Sequence, residues 1–242
     1  MDPASSTVLV TGGASGIGYA LAERFLRAGS EVIVCGRREE KLREARAAHP
    51  ELSVRACNLA RETERVALFE WAVEAFPRLN VLVNNAGIQR RVRLDAPHEW
   101  RGTAEEIAVN FEAPVHLAML FVPHLRRQRN PAIVNVTSGL GFSPLAPVPV
   151  YSATKAAMHS FTLSLRHQLA NTIEVVELAP PAVDTDLGGP GLHTFGVPVS
   201  QFADAAMEGI ARGEREITYG FSQKASRASR AELDELFLRM NA

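Results

Sequence analysis

Cysteine is nearly absent. The 242 residues hold two, Cys35 and Cys57, too few for the disulfide framework of a secreted scaffold. Both read as small buried hydrophobes in a protein of the reducing cytoplasm. Long apolar runs are missing as well. None approaches the roughly 18 residues that a membrane-spanning helix needs, so no membrane partner is expected. The opening residues MDPASSTVLVTGG carry an acid where a secretory leader carries positive charge, and they read as a short tail entering a strand. Charge of one sign is not in excess. A formal net charge of -1 sets up no field that would draw nucleic acid or an anionic surface. The basic run LRRQR at 125–129 is a solvated helix end. Metal-ligand spacing is lacking too. His49, His98, His116, His124, His159, His167 and His193 include no pair four residues apart. No Cys/His cluster has zinc spacing, so no metal is expected. Nor is there an internal repeat, a low-complexity tract or a linker. Residues 1–242 are therefore expected to form one domain around one core.

What is present is a series of short apolar segments rich in β-branched residues, at 7–11, 31–35, 52–56, 80–84, 132–137 and 173–178. Near-continuous apolar runs of this length suit strands buried on both faces. Helical patterns lie between them at 16–28, 38–48, 61–76, within 97–128 and at 150–170. A helix near 199–212, a short strand near 215–219 and an amphipathic helix over 224–240 complete the chain. The alternation predicts an α/β fold: a doubly wound Rossmann domain with a mostly parallel seven-stranded sheet and helices on both faces. The segment 180–200, dense in Gly and Pro, is too long for a plain connection, and a substrate lid is expected at 182–200.

The first strand runs into a glycine turn and then a helix, TVLVTGGASGIGYALAERFLRAG. Gly12 permits a tight turn, Gly16 lets the backbone approach a pyrophosphate, and Gly18 lets the helix pack closely. The free N–H groups of the helix N-terminus then face the anion. Three glycines alone are a weak signal, but strand, glycine turn and helix in this order make a dinucleotide site. Another absence follows the second strand. An NAD-preferring fold usually places an acid there to bind the ribose 2′-hydroxyl; here Gly36 precedes Arg37 and Arg38. No carboxylate repels a 2′-phosphate, and a guanidinium can grip it in a fork. NADP(H) is the expected cofactor with Arg37 as the clamp, NAD(H) the alternative. Arg38 reads as the opening of a charged helix.

Four features then lie where hydride transfer would need them. NNAG at 84–87 follows the fourth strand at its carboxyl end, where ligands bind in open α/β sheets. Asn110 lies inside a helical stretch, and Ser138 ends the fifth strand. Tyr151 and Lys155, four residues apart, share one face of the next helix.

Together, TGxxxGxG, NNAG, a mid-helix Asn, Ser and YxxxK resemble the short-chain dehydrogenase/reductase family over essentially the whole length. GRREEKL, NNAGIQR, TSGLGFSP, YSATKAAMHSFTLSLR and LAPPAVDT most resemble its DltE-type oxidoreductases. The resemblance implies hydride exchange between a nicotinamide and a small carbonyl/alcohol substrate. Its catalytic set would be Asn110, Ser138, Tyr151 and Lys155. Tyr151 would be the general acid/base, its proton loosened by Lys155 and by the oxidised nicotinamide's charge. Ser138 would hold the substrate oxygen, and Asn110 a water linking Lys155 to solvent. The cofactor would touch Gly12, Ser15, Gly16, Ile17, Gly18, Arg37, Asn58, Leu59, Asn85, Ala86, Gly87, Tyr151 and Lys155. Val183 and Thr185 would hold its carboxamide.

The chain departs from the family at two places. Asn58 stands where an Asp usually accepts from adenine, and its amide oxygen can still accept. Pro180-Pro181 replaces Pro-Gly, which stiffens the turn beside the nicotinamide. Specificity is expected in 88–98, 139–150 and 186–198, where LGFSPLAPVPV favours an apolar or aromatic carbonyl and His193 could touch substrate. Phe111, Leu117, Leu120, Phe121, Met158, Phe161 and Leu165 exceed what one core face needs, which predicts a homodimer or homotetramer. A nucleotide sensor on the same fold is the rival reading. An epimerase is weakened by the absence of a second domain.

Overall fold

A computed structural model describes residues 1–97 and 99–242, and His98 lies outside them. Strands β1 (Thr7–Thr11), β2 (Glu31–Gly36), β3 (Ser53–Ala56), β4 (Val81–Asn84), β5 (Ala132–Val136), β6 (Glu174–Ala179) and β7 (Glu216–Thr218) form one sheet in the order β3-β2-β1-β4-β5-β6-β7. Every neighbouring pair is parallel. The period-two alternation of strand side chains sorts the core into two layers. Val8, Val10, Val32, Val34, Val81 and Val83 face one side; Leu9, Ile33, Cys35, Leu82 and Ile133 face the other.

The first layer is covered by α1 (Gly16–Ala28), α2 (Glu39–Ala48) and α7 (Val199–Ala211). The second is covered by α3 (Glu62–Ala75), α5 (Ala113–Leu125) and α6 (Pro149–Leu169). Cys35 and Cys57 are both buried and free, as a pair of small hydrophobes would be. Among the described residues no helix is long and apolar enough to cross a membrane.

The order of connection reverses between β1 and β4, which opens a crevice beyond the carboxyl ends of β1, β4 and β5. The expected sequence motifs end on this rim. Buried Arg65 of α3 supports it from below: its guanidinium donates to the Leu59 carbonyl at 2.8 Å, to Glu112 at 2.6 Å and to His116 at 3.0 Å.

Two elements differ from the sequence reading. The long helix within 97–128 is broken into α4 (Trp100–Ile107), a π-helical turn over Ala108–Glu112, and α5. Pro114 is the cause: it has no N–H to give to the carbonyl of Asn110 four residues earlier. The single C-terminal helix is two, α8 (Phe221–Ala225) and α9 (Arg230–Met240). Ser229 and Glu232 form a capping box that starts the second afresh.

Candidate functional site

Beyond the strand ends lies a groove of about 950 Å³. It is lined by Gly12, Ser15, Gly16, Ile17, Arg37, Asn58, Leu59, Asn85, Ala86, Gly87, Tyr151, Lys155 and Thr185. Those thirteen of the sequence-predicted cofactor contacts come together in one place. Gly18 and Val183 stand behind the wall. Gly18 has no room for a Cβ, which would lie 2.2 Å from Asn85 Nδ2 and 2.5 Å from the Gly12 carbonyl oxygen. Gly16, at φ +55, turns the backbone toward Thr185 and leaves the groove floor bare. Asn85 is spent on the scaffold, since its amide donates to the Thr11 carbonyl at 2.9 Å and ties β4 to the glycine loop. The cradle fits an extended dinucleotide whose pyrophosphate meets the N-terminus of α1.

At one end of the groove Asn58 Oδ1 accepts from the Ala60 N–H at 3.1 Å and has a second lone pair to offer. Arg37 is ion-paired to Glu105 of α4, which also holds Arg90 Nη2 at 2.6 Å. Arg38 opens α2 as its N-cap, as expected, and its side chain also reaches the glycine loop and donates to Ser15 Oγ at 2.8 Å. Both arginines are exposed and line the groove, and only the fold decides which of them meets the glycine loop.

At the other end Tyr151 and Lys155 project from α6 with exposures of 6% and 3%. Lys155 Nζ lies 5.5 Å from the Tyr151 ring centroid and donates to the Val136 carbonyl at 2.8 Å. Ser138 caps the 3-10 turn Gly139–Gly141, accepting from the Leu140 N–H at 3.1 Å. Gly139 N–H donates to the Pro180 carbonyl at 2.9 Å, so the Ser138 turn is tied to the double-proline segment. Gly87 marks how tightly the set converges: a Cβ there would lie 3.7 Å from Asn110 Oδ1 and 3.9 Å from Lys155 Nζ. Asn110 sits in the π-helical turn. Its side chain exchanges two hydrogen bonds with the Ile88 backbone, at 2.8 and 2.7 Å, and donates to Thr154 at 3.2 Å. The side-chain amide is therefore committed, while its carbonyl has lost its α-helical donor to Pro114.

The electrostatics of the pair differ from the expectation that Lys155 pulls the phenol down. Burial pushes Tyr151 up to about 12; the Ser138 hydroxyl opposes that and ionised Glu106 adds to it. Burial also pushes Lys155 down to about 8, so it carries only part of a charge at mildly alkaline pH. In the cofactor-free chain the phenol keeps its proton.

The three loops expected to set specificity meet over this end. Val92 N–H donates to the Pro147 carbonyl at 3.1 Å, and Ile88, Gln89, Arg90, Leu187, Gly188 and Gly189 line the groove. The 182–200 segment is pinned at its base by a bridge between Val183 and Val197 and by the Asp184 N–H on the Val197 carbonyl at 2.9 Å. Thr185 Oγ1 turns back on the Val183 carbonyl at 3.3 Å. Leu192 and Phe195 of this segment are exposed. His193 is half-buried with its Nδ1 unpartnered among the described residues. Asn241, past the last helix, braces the 139–150 loop by bonding Ala146 N–H at 2.6 Å and the Pro144 carbonyl at 3.2 Å.

Away from the groove, folding gathers His159, Glu177 and Glu216 with their ligand atoms within 4.8 Å of one another, which no spacing announced. An ion pair accounts for two of them, His159 and Glu177. His159 Nδ1 faces both Glu177 carboxylate oxygens at 3.0 Å, and that hydrogen bond raises the histidine above its ordinary value.

A nucleotide cradle at the switch point of a doubly wound parallel sheet, with a buried Tyr–Lys pair at its end, defines a dehydrogenase-type α/β enzyme. The family model for short chain dehydrogenases matches residues 6–192, and the chain belongs to that family. It is 48% identical over 248 aligned residues to the oxidoreductase DltE of Bacillus subtilis, covering 100% of this chain and 98% of that one. The short-chain dehydrogenase from Sphingobium yanoikuyae, solved with NADPH, superposes with a TM-score of 0.81 at 27% identity, over 96% of this chain and 92% of that one. One from Streptomyces avermitilis does so with 0.84 at 26% identity, over 97% of each.

Proposed function

We propose that this chain is an NADP(H)-preferring oxidoreductase that interconverts a small carbonyl and its alcohol, with Tyr151 as general acid/base. The observation that carries the reading is the burial of Tyr151 and Lys155 side by side at the end of the dinucleotide groove. A surface pair would not be so enclosed. A bound nicotinamide would supply or take up the hydride and, when oxidised, place a positive charge beside the phenol.

In reduction Tyr151 donates its proton to the carbonyl oxygen as negative charge develops there, and Ser138 hydrogen-bonds the same oxygen. Lys155 holds the ribose hydroxyls and passes a proton back toward Tyr151. The Asn110 carbonyl, freed by Pro114, holds the water that connects Lys155 to solvent. Val183 and Thr185 orient the carboxamide, Asn58 the adenine, and Arg37 with Arg38 the 2′-phosphate. The lid at 182–200 closes over an apolar or aromatic substrate, using Leu187 and Leu192. The chain works as one Rossmann domain in the cytoplasm, without metal, nucleic acid or membrane.

A carbonyl panel with NADPH oxidation as readout tests the reading. Turnover by wild type that depends on Tyr151 supports it. Cofactor fluorescence changes without turnover of any carbonyl would move the assignment to the nucleotide sensor.

Association is part of the proposal, on a revised surface. Leu117, Phe121, Met158 and Leu165 belong to the internal core, so they cannot make the contact first assigned to them. Exposed on the same two helices are Met119 at 69% and Leu163 at 45%, next to half-buried Leu120 and Phe161. A two-fold pairing of α5 and α6 through these residues gives a homodimer, or a homotetramer with a second interface. Sedimentation at micromolar protein should report the assembly, and Met119→Glu with Leu163→Glu should dissociate it. A pure wild-type monomer overturns it.

A further inference from the structure

Glu106 stands on α4 one turn before Asn110, and its exposure is 0%. Neither of its carboxylate oxygens accepts a hydrogen bond of good geometry among the described residues, the Arg90 backbone N–H being the group that lies toward it. A buried carboxylate left in this way is costly as an anion and far less so with its proton on. The charged groups around it can be named. From the segment after β4 comes Arg90, whose Nη2 is occupied by Glu105 at 2.6 Å and whose Nη1 is buried without a partner. From α6, against which α4 packs, comes Tyr151, whose ionisation the Glu106 charge opposes less strongly than burial does. Glu105, its neighbour on the same helix, is held by Arg37 and Arg90.

Burial pushes the Glu106 carboxyl up to about 7, against the weaker pull of the Arg90 backbone N–H and guanidinium. The group therefore changes charge in the range where an enzyme of this class works, and it does so on a helix packed against the one that carries the phenol. Nothing in the mechanism above uses it. Its position on α4 is also not explained by packing, since an apolar side chain would fill an enclosed site without leaving two oxygens unpartnered.

We propose that Glu106 is a positioning residue that acts through Tyr151: as an anion it holds the proton on the phenol, and as a neutral acid it lets the phenol ionise. The inference rests on the reading of Tyr151 as general acid/base. Its sign follows from Coulomb's law. Ionised Glu106 favours the protonated phenol that reduction needs and opposes the phenolate that alcohol oxidation needs. Rising pH thus makes Glu106 work against the oxidative direction just as solvent begins to favour it.

Two measurements test this, and the first needs no substrate. Infrared titration of the cofactor-free protein should show a protonated-carboxyl band that is lost as pH passes about 7 and is missing from Glu106→Gln. No such band in wild type would mean that the carboxylate is ionised throughout, and the proposal fails. The second is the pH profile of alcohol oxidation. Glu106→Gln should shift the rising limb to lower pH and raise turnover on that limb by roughly two- to tenfold, with KM unchanged. Glu106→Leu, also uncharged, should do the same and serves if the Gln variant folds poorly. A profile of unchanged position, merely scaled, would assign Glu106 a structural role and overturn the proposal. If wild type oxidises no alcohol at all, the failure belongs to the catalytic reading, and the infrared titration still decides the ionisation of Glu106.

Discussion

Tyr151→Phe is expected to lose roughly 10²–10⁴-fold in turnover, the usual share of general acid–base catalysis, while keeping its fold and its affinity for cofactor. The substitution removes one oxygen and leaves the ring, which is buried against Lys155 with Nζ 5.5 Å from its centroid. The Ser138 hydroxyl that hydrogen-bonds the phenol still accepts from the Leu140 N–H once that oxygen is gone, so the loss orphans little. Lys155→Met should lose turnover and also weaken cofactor binding, because the proposed function has Lys155 serve both the phenol and the ribose. The pH dependence has a definite sign. Oxidation requires the phenolate, so its rate rises with pH through the Tyr151 ionisation. In the cofactor-free chain that ionisation lies at about 12. Beside an oxidised nicotinamide the added positive charge favours phenolate, and the limb should appear below that value. Near-native turnover by Tyr151→Phe on a confirmed substrate would leave the Tyr–Lys pair as a packing contact.

Removal of the guanidinium that holds the 2′-phosphate should weaken NADPH by roughly tenfold to a hundredfold and leave NADH nearly unchanged. A charge-assisted hydrogen bond contributes about 1.5–3 kcal/mol. Two residues share the expectation. Arg37 must release Glu105 before it can grip a phosphate, so part of its gain is offset by the broken ion pair. Arg38 already rests on Ser15 Oγ at 2.8 Å, on the glycine loop, and gives up less. Arg38→Ala should therefore cost NADPH at least as much as Arg37→Ala. Titration of both nucleotides against both variants separates the cases. Equal losses of NADPH and NADH would make the arginines structural, and a wild-type preference for NADH would remove the role given to Gly36.

Much of the site is legible in the sequence because its signals are local. The glycine loop joins a strand to a helix within a few residues, and its role depends on a left-handed backbone at Gly16 and on the missing Cβ at Gly18. Tyr151 and Lys155 share a face because helices repeat every 3.6 residues. The C-terminal break was legible too: Ser229 and Glu232 carry the S-x-x-E pattern inside the stretch assigned to one helix.

Alternating strands and helices determined the α/β class, and runs apolar on both faces determined a sheet covered on both sides. Local chemistry determined the order of glycine turn, NNAG, Ser138, Tyr151 and Lys155 along one rim. Tertiary structure alone decided what depends on elements far apart in the chain. Arg38 rather than Arg37 reaches Ser15, twenty-three positions away in sequence. Leu117 and Phe121 turn inward while Met119 stays outside, since neighbouring helical positions differ only in which packed surface they meet. Asn241 braces a loop 95 residues earlier. Glu106, one of two adjacent acids on α4, ends with no exposure on a helix packed against the one that carries Tyr151. Residue type settles what a side chain can do, but solvation settles its charge, and solvation is a property of the packed neighbours that only the folded chain brings together.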